Sequence, residues 1–386
     1  MRHRAVVLVC DGLGVGAAPD AALYGDAGSD TLGHVLDATG VELPNLERLG
    51  LLRAAGRSGA LPAQGAWGRM REVSAGKDST TGHWEMMGLV TPRPFPVYPE
   101  GFPPEVVEPI ERAAGVRFLG NRAASGTDII RELGPEHMAT GRPILYTSAD
   151  SVFQVAAHEE VVAPERLWEI CAVARRHLAG PHAVGRVIAR PFAGRPGAFV
   201  RTKRRRDFSL PPPGDTLLDR LVAAGRSTCG IGKIADLFAG RGLSSHAYSS
   251  SDADGIERAI ARLRDGGDDL VFANLVDFDS AYGHRSDPAG FAENLARFDG
   301  EIPRLLAALG ERDILFVTAD HGCDPCDAST DHTREYVPIL AAGPRVRAGA
   351  ELGTRASFCD LAATLAEWLG LPVAAAGESF LPALRA

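Results

Sequence analysis

Three short apolar runs in this chain each end in aspartate, and no other feature restricts its fold as much. Residues 5–10 (AVVLVC) precede Asp11, residues 270–276 (LVFANLV) precede Asp277 and Asp279, and residues 314–319 (ILFVTA) precede Asp320. The continuous β-branched run before Asp11 reads as a strand buried on both faces. Buried strands that deliver carboxylate and imidazole at their C-terminal ends are what a metal site in an open α/β sheet needs. His284, His321 and His332 complete the set. Asp11, Asp279, His284, Asp320, His321 and His332 are too many ligands for one ion. They predict two metals close together, an arrangement suited to phosphoryl chemistry.

Each piece has an ordinary reading when taken alone. An aspartate after a strand is often a helix cap, and the Asp279-x-x-x-x-His284 spacing is common. Asp320-His321 carries more, because it ends a buried strand directly. Neighbouring strand residues point to opposite faces, so both reach one site only if the chain turns into a loop there, which Gly322 permits. His332 falls in a second loop, TDHTREY. A phosphoryl carrier is then needed, and Asp78-Ser79 in the segment GKDSTTGHWEMMG (76–88) fits, with Thr80 and Thr81 as competitors. A hydroxyl beside a metal becomes nucleophilic at neutral pH. Cys323-x-x-Cys326 in isolation suggests zinc or redox chemistry. With no second such pair and no thioredoxin-like context, it reads as two reduced thiols flanking the metal loop.

A chain of 386 residues with 45% hydrophobic content has room for about two domains and a sizeable core. A net charge of −8 argues against a nucleic-acid surface. The basic run at 203–206 is either a solvated face or an attractor for an anionic substrate. The N-terminal apolar stretch is too short for a signal peptide and lacks a cleavage site, so it reads as a first strand. No run approaches the roughly 20 apolar residues of a membrane span. Six cysteines in a chain of this length make no disulfide scaffold, which points to a reducing cytoplasm. Of 41 basic residues only Lys77, Lys203 and Lys233 are lysines. A lysine kept against an arginine-rich background marks a place for a compact ammonium, and this singles out Lys77 and Lys233.

Proline-rich stretches at 91–104 and 210–215 suggest domain boundaries. They predict a core of residues 1–94 and 214–386 with an inserted α+β cap at 95–213. Within the cap, 144–158 and 185–192 read as strand-like and 163–178 as an amphipathic helix. In the core, helices are predicted at 44–52, 216–225, 254–263, 290–309 with a kink at Pro303, and 355–369. Strands are predicted at 6–10, 270–276, 314–318 and 337–341. Strand–helix alternation of this kind predicts a mainly parallel sheet between helices.

Taken together, CDGLGVG (10–16), GKDSTTGHWEMMG (76–88), YTSADSVFQVAAHEE (146–160), GRVIARPF (185–192), GIGKIADLF (230–238), DFDSAYGHRSD (277–287) and TADHGCDPC with TDHTREYVP (318–338) resemble the prokaryotic phosphopentomutases, or phosphodeoxyribomutases, of the alkaline phosphatase superfamily. The resemblance spans essentially the whole chain, and GHWE and TDHTREY are its most specific parts. It implies an alkaline-phosphatase-like α/β core with an α+β cap. It implies one manganese on Asp11, Asp320 and His321 and another on Asp279, His284 and His332. The phosphorylated position is the one after Lys-Asp, here Ser79, where the family usually has threonine. Asp150 would bind sugar hydroxyls, and Arg186, Arg201 and Lys233 would grip the phosphate that is not being transferred. Cys326 stands where the usual pattern has threonine.

The implied enzyme is an isomerase, an intramolecular phosphotransferase. It would interconvert ribose 1-phosphate and ribose 5-phosphate, and the 2-deoxyribose pair, through a phosphoenzyme. Water is kept out by the cap, and a sugar bisphosphate such as glucose 1,6-bisphosphate primes the cycle. Pentose phosphates are its expected partners, with no nucleic acid and no membrane; the oligomeric state is left open. The rival readings are a metal-dependent phosphatase or another sugar-phosphate mutase on the same core, and a non-catalytic metal-binding protein.

Overall fold

The computed structural model describes residues 2–148, 151–373 and 376–385. The chain forms two compact units, Met1–Arg93 with Pro212–Ala386, and Pro94–Pro211. Among the described residues the strands are, in chain order, β1 (Arg4–Cys10), β2 (Ala66–Met70), β3 (Leu119–Ala123), β4 (Ile144–Thr147), β5 (Val152–His158), β6 (Arg186–Ala193), β7 (Val200–Arg201), β8 (Arg206–Ser209), β9 (Thr228–Ile231), β10 (Ser245–Ala247), β11 (Leu270–Leu275), β12 (Asp313–Thr318), β13 (Val337–Ala342) and β14 (Glu351–Arg355).

The larger unit holds an eight-stranded sheet in the order β10-β9-β11-β1-β12-β13-β2-β14. β10, β9, β11, β1 and β12 pair in parallel. β13 runs against both β12 and β2, and β14 is parallel to β2. Only β13 is reversed, so the predicted mainly parallel α/β sheet is what forms. Every residue of β11, β12 and β13 is buried, as is β1 from Ala5 onward. This is the burial that continuous apolar runs demand. The order also places β1 between β11 and β12, so the three runs that end in aspartate are adjacent strands pointing the same way.

Local departures from the sequence reading have identifiable causes. The predicted helix over 44–52 is two helices, Pro44–Leu49 and Leu51–Ala54, broken at Gly50. Gly50 sits at φ 106°, and a Cβ there would run into the Trp67 side chain. The long helix Pro288–Ala308 continues through Pro303. Proline leaves the carbonyl four residues back without its helical donor, and the Asn45 side-chain amide donates to that carbonyl, Asp299 O, at 3.1 Å. Arg355 ends β14 instead of opening the helix that follows it, which spans Cys359–Trp368. Segment 76–88, for which no helix was predicted, contains the helix Ser79–Met86, because Asp78 caps it by accepting from Thr80 N and Thr81 N.

In the smaller unit the sheet order is β3-β4-β5-β6-β7, with β8 also on β6. Parallel and antiparallel pairs alternate. One face packs against helices Pro104–Ala114 and Pro164–His177 through Phe153, Val155, Leu167 and Val187. The other face packs against helix Gly126–Thr140 through Ile129, Ile130, Ile144, Tyr146 and Phe192. No helix among the described residues is long and apolar enough to cross a membrane.

Candidate active site

Asp11 follows β1, Asp279 lies in a tight turn just after β11, and Asp320 lies two residues past β12. Parallel strand direction thus brings all three to one edge of the sheet. The six predicted ligands fall into two groups, Asp11 with Asp320 and His321, and Asp279 with His284 and His332. In the first, His321 Nε2 is 3.4 Å from both Asp11 Oδ1 and Asp320 Oδ2. In the second, Asp279 Oδ1 is 3.2 Å from His284 Nε2 and 3.3 Å from His332 Nε2. The rings of His321 and His332 stack at 3.8 Å, so the groups adjoin.

Whether these residues suit metal ions follows from where their protons and lone pairs point. Each imidazole has its Nδ1 facing a backbone carbonyl: His284 to Thr330 O at 2.6 Å, His332 to Lys77 O at 3.0 Å and His321 to Gly322 O at 3.0 Å. A carbonyl only accepts, so each Nδ1 carries the hydrogen and each Nε2 offers a lone pair. The Nε2 atoms of His284 and His332 then face each other at 3.1 Å. Asp279 Oδ1 and Asp320 Oδ2 are buried with no hydrogen-bond partner among the described residues. Two orphaned carboxylate oxygens, one in each group, and converging lone pairs fit two cations.

The electrostatics agree. Burial works against ionised Asp11, yet Lys233 and His321 hold it well below the usual carboxylate range. Burial and Asp11 both oppose ionised Asp279, but His332 and Lys233 bring it down to about 2. Burial disfavours a charged His321, but Asp320 and Asp11 push it up to about 10. Carboxylates packed this closely demand positive charge at the imidazole nitrogen, and proton and metal compete for that place.

Ser79 opens its helix with Oγ 3.2 Å from His321 Nε2 and 3.5 Å from Asp11 Oδ1. The Thr81 hydroxyl is turned back to Asp78 O at 3.0 Å. One turn after Ser79, His83 Nδ1 donates to Ser79 O at 2.8 Å and stands 3.2 Å from Asp320 Oδ2. Gly82 is needed because a Cβ there would overlap Asp320 O. Lys77 pairs with Asp26 at 3.1 Å and Asp331 at 3.3 Å.

Several residues that shape the site escaped the sequence reading. Glu335 accepts from Thr31 N, Gly16 N and the hydroxyls of Thr31 and Thr333. A Cβ on Gly14 or on Gly322 would collide with its carboxylate. Gly322 was predicted to free the backbone, and what it supplies is space. Next to it, buried Arg334 donates to Glu72 and to the carbonyls of Ser74 and Gly76, which tethers the approach to Ser79. Both lie in TDHTREY, a motif that sequence marked without assigning these roles. Glu85 of GHWE accepts from Val73 N, Ser74 N and Phe358 N. The two thiols are free; Cys323 is buried and Cys326 exposed. Burial and the Asp279 charge push the Cys323 thiol well up, which keeps it protonated.

The remaining predicted residues are divided between the two units. Lys233 stands in the larger unit with Nζ 2.9 Å from Asp11 Oδ2 and 3.9 Å from Asp279 Oδ2. Arg186 and Arg201 belong to the smaller unit. Arg186 begins β6, whereas Arg201 pairs opposite Phe192 near its far end. At about 3.3 Å per residue, six residues of strand separate them by about 20 Å. Asp150 lies outside the described residues.

A fold and site of this kind define a metal-dependent enzyme. A model of the metalloenzyme superfamily matches residues 3–373, and the chain is a member of that superfamily. It is 52% identical over 382 residues to a phosphopentomutase of Acetivibrio thermocellus, covering 98% of each chain. A phosphopentomutase of Caldanaerobacter subterraneus subsp. tengcongensis is 51% identical over 384 residues, 99% of this chain and 98% of the relative. Within the superfamily, the chain belongs to the phosphopentomutase family. Among solved structures it shares its fold with the PH0037 protein of Pyrococcus horikoshii (TM-score 0.51, 18% identity, 96% of this chain and 98% of that one). A Leishmania mexicana phosphoglycerate mutase is similar too (TM-score 0.50, 14% identity, 98% and 97%).

Proposed function

We propose that this chain interconverts ribose 1-phosphate and ribose 5-phosphate, and the corresponding 2-deoxyribose phosphates, in the cytoplasm, with Ser79 carrying the phosphoryl group. The observation that carries this reading is the Ser79 hydroxyl 3.2 Å from His321 and 3.5 Å from Asp11, in a chain about half identical to phosphopentomutases. Asp11, Asp320 and His321 would hold one Mn²⁺ and Asp279, His284 and His332 the other. When bound, the two ions supply neutralisation of phosphate oxygens and activation of a neighbouring hydroxyl. Phospho-Ser79 donates to the free hydroxyl of the pentose monophosphate, and the second phosphate of the bisphosphate then returns to Ser79. The N-terminal end of helix Ser79–Met86 favours the negative charge that Ser79 acquires. His83 fixes the Ser79 carbonyl, and Lys233 offsets carboxylate charge beside the reacting oxygens. Asp150, Arg186 and Arg201 are the proposed sugar and phosphate contacts of the smaller unit, the specificity-bearing cap. A sugar bisphosphate such as glucose 1,6-bisphosphate would prime Ser79.

The test is to incubate the protein with ribose 1-phosphate and Mn²⁺ and to follow ribose 5-phosphate and inorganic phosphate together. A mutase forms ribose 5-phosphate without free phosphate. Release of phosphate in step with substrate loss would make the chain a phosphatase and defeat the reading.

A further inference from the structure

Strand β11 lies in an apolar run, LVFANLV, that is interrupted by one amide, Asn274. The residue is fully buried, and its Oδ1 has no hydrogen-bond partner among the described residues. Buried side-chain amides are normally bonded at both ends. A leucine of similar size would leave no polar atom unpaired at that place. Packing alone therefore gives no reason for an amide there.

The nitrogen end of the amide meets His83. Asn274 Nδ2 lies 3.4 Å from His83 Nε2. Phe272, two residues earlier and so on the same face of β11, meets the same imidazole with ring centroids 5.6 Å apart. His83 is fully buried. On the other side of its ring, Nδ1 is 2.8 Å from Ser79 O and 3.2 Å from Asp320 Oδ2. A carbonyl and a carboxylate only accept, so Nδ1 carries the ring hydrogen and gives it to Ser79 O. Nε2 of the neutral ring then accepts, and the Asn274 nitrogen is the donor that meets it. The reverse tautomer would turn a lone pair on both oxygens at those distances. The start of helix Ser79–Met86 would have to draw away from Asp320. The Ser79 hydroxyl would then leave its place 3.2 Å from His321 Nε2 and 3.5 Å from Asp11 Oδ1.

We infer that Asn274 is a positioning residue for phosphoryl transfer. By donating to His83 Nε2 it fixes the imidazole hydrogen at Nδ1, where that hydrogen holds the Ser79 carbonyl and so sets the place of the Ser79 hydroxyl. The inference rests on Ser79 as the phosphoryl carrier, which is part of the mutase reading, and not on which sugar the enzyme takes.

The experiment follows phosphorylation of Ser79 in the full-length Mn²⁺-loaded protein mixed with glucose 1,6-bisphosphate, by rapid quenching and mass spectrometry. In that step the phosphoryl group passes to Ser79 Oγ, and the hydroxyl proton leaves with the glucose monophosphate released. Wild type is compared with Asn274→Leu, His83→Asn, His83→Gln and the double variant of Asn274→Leu with His83→Asn. Asn274→Leu should slow the step at saturating bisphosphate about tenfold, what one hydrogen bond contributes at most, while the half-saturating concentration stays the same. His83→Gln has no nitrogen at the Nδ1 position and should slow it about 100-fold, the cost of a displaced reacting group. His83→Asn keeps a donor at that position and should be slower than wild type but at least about tenfold faster than His83→Gln. It has no counterpart of Nε2, so adding Asn274→Leu to it should change nothing further.

Metal content, by elemental analysis, and Tm should stay at the wild-type values in Asn274→Leu. An equal slowing by Asn274→Leu with and without His83→Asn would overturn the inference, because the amide would then act by packing. So would equal losses in His83→Asn and His83→Gln, a loss of metal, or a clear fall in Tm for Asn274→Leu. Conversion of ribose 1-phosphate by wild type, measured alongside, separates the two readings. If the phosphorylation pattern appears without conversion, the mutase reading falls and the positioning role stands. If conversion proceeds and Asn274→Leu is phosphorylated at the wild-type rate, the positioning role falls and the mutase reading stands. A wild type that never acquires phosphate on Ser79 defeats both.

Discussion

The two units treat their functional residues differently. In the larger unit six candidate ligands taken from four separate stretches of chain arrive as two adjoining groups. In the smaller unit Arg186 opens β6 while Arg201, on β7, pairs opposite its far end, about 20 Å away. The difference follows from sheet topology. Parallel neighbours such as β11, β1 and β12 must all present their C-terminal ends at one edge, so residues just after those strands converge. A sheet that alternates parallel and antiparallel pairs has no common edge, and position along a strand gives no convergence.

That contrast can be attacked from its strongest side first. Removing metal with a chelator should abolish pentose-phosphate turnover, and added Mn²⁺ should restore it. Full activity in a preparation carrying one metal per chain would break the two-group reading. Next in size, Ser79→Ala should lower turnover by several orders of magnitude, on the order of what losing a covalent nucleophile costs, while metal content stays at two. Mass spectrometry after treatment with a sugar bisphosphate should place phosphate on Ser79; finding it on Thr80 or Thr81 would move the carrier.

A smaller effect is expected in the other unit. Charge-assisted bonds to phosphate contribute roughly 1.5–3 kcal/mol. Arg186→Ala and Arg201→Ala should therefore each reduce kcat/KM for ribose 5-phosphate by about 10- to 100-fold. If the two arginines hold different groups, their effects should add in the double variant; strong non-additivity would mean that both reach one phosphate. Gly322→Ala is expected to destabilise the protein by about 1–3 kcal/mol, because the new methyl meets the Glu335 carboxylate; an unchanged Tm would deny the tight packing around that carboxylate. The least effect belongs to Cys323→Ser combined with Cys326→Ser, which should leave metal content at the wild-type value, measured by elemental analysis. A loss of metal there would make a thiol a ligand after all.

Sequence by itself determined the buried strands, their aspartate endings, the six candidate ligands and the family that their motifs resemble. Each of those is carried locally, by apolar runs whose length and β-branching require burial and by short motifs of fixed composition. It did not reveal that 76–88 begins a helix, because the cap at Asp78 competes with a polar loop of the same composition. Nor did it show how the carbonyl freed by Pro303 is satisfied, since its donor, Asn45, lies more than 250 residues earlier. The roles of Glu335 and Arg334 were likewise settled only by tertiary structure. A buried polar side chain acquires meaning from what surrounds it, and its surroundings come from segments far apart in the chain. Glu335 is met by residues 16 and 31, and Arg334 by residues 72–76. Local pattern specifies which groups leave water, and only packing specifies which of them meet.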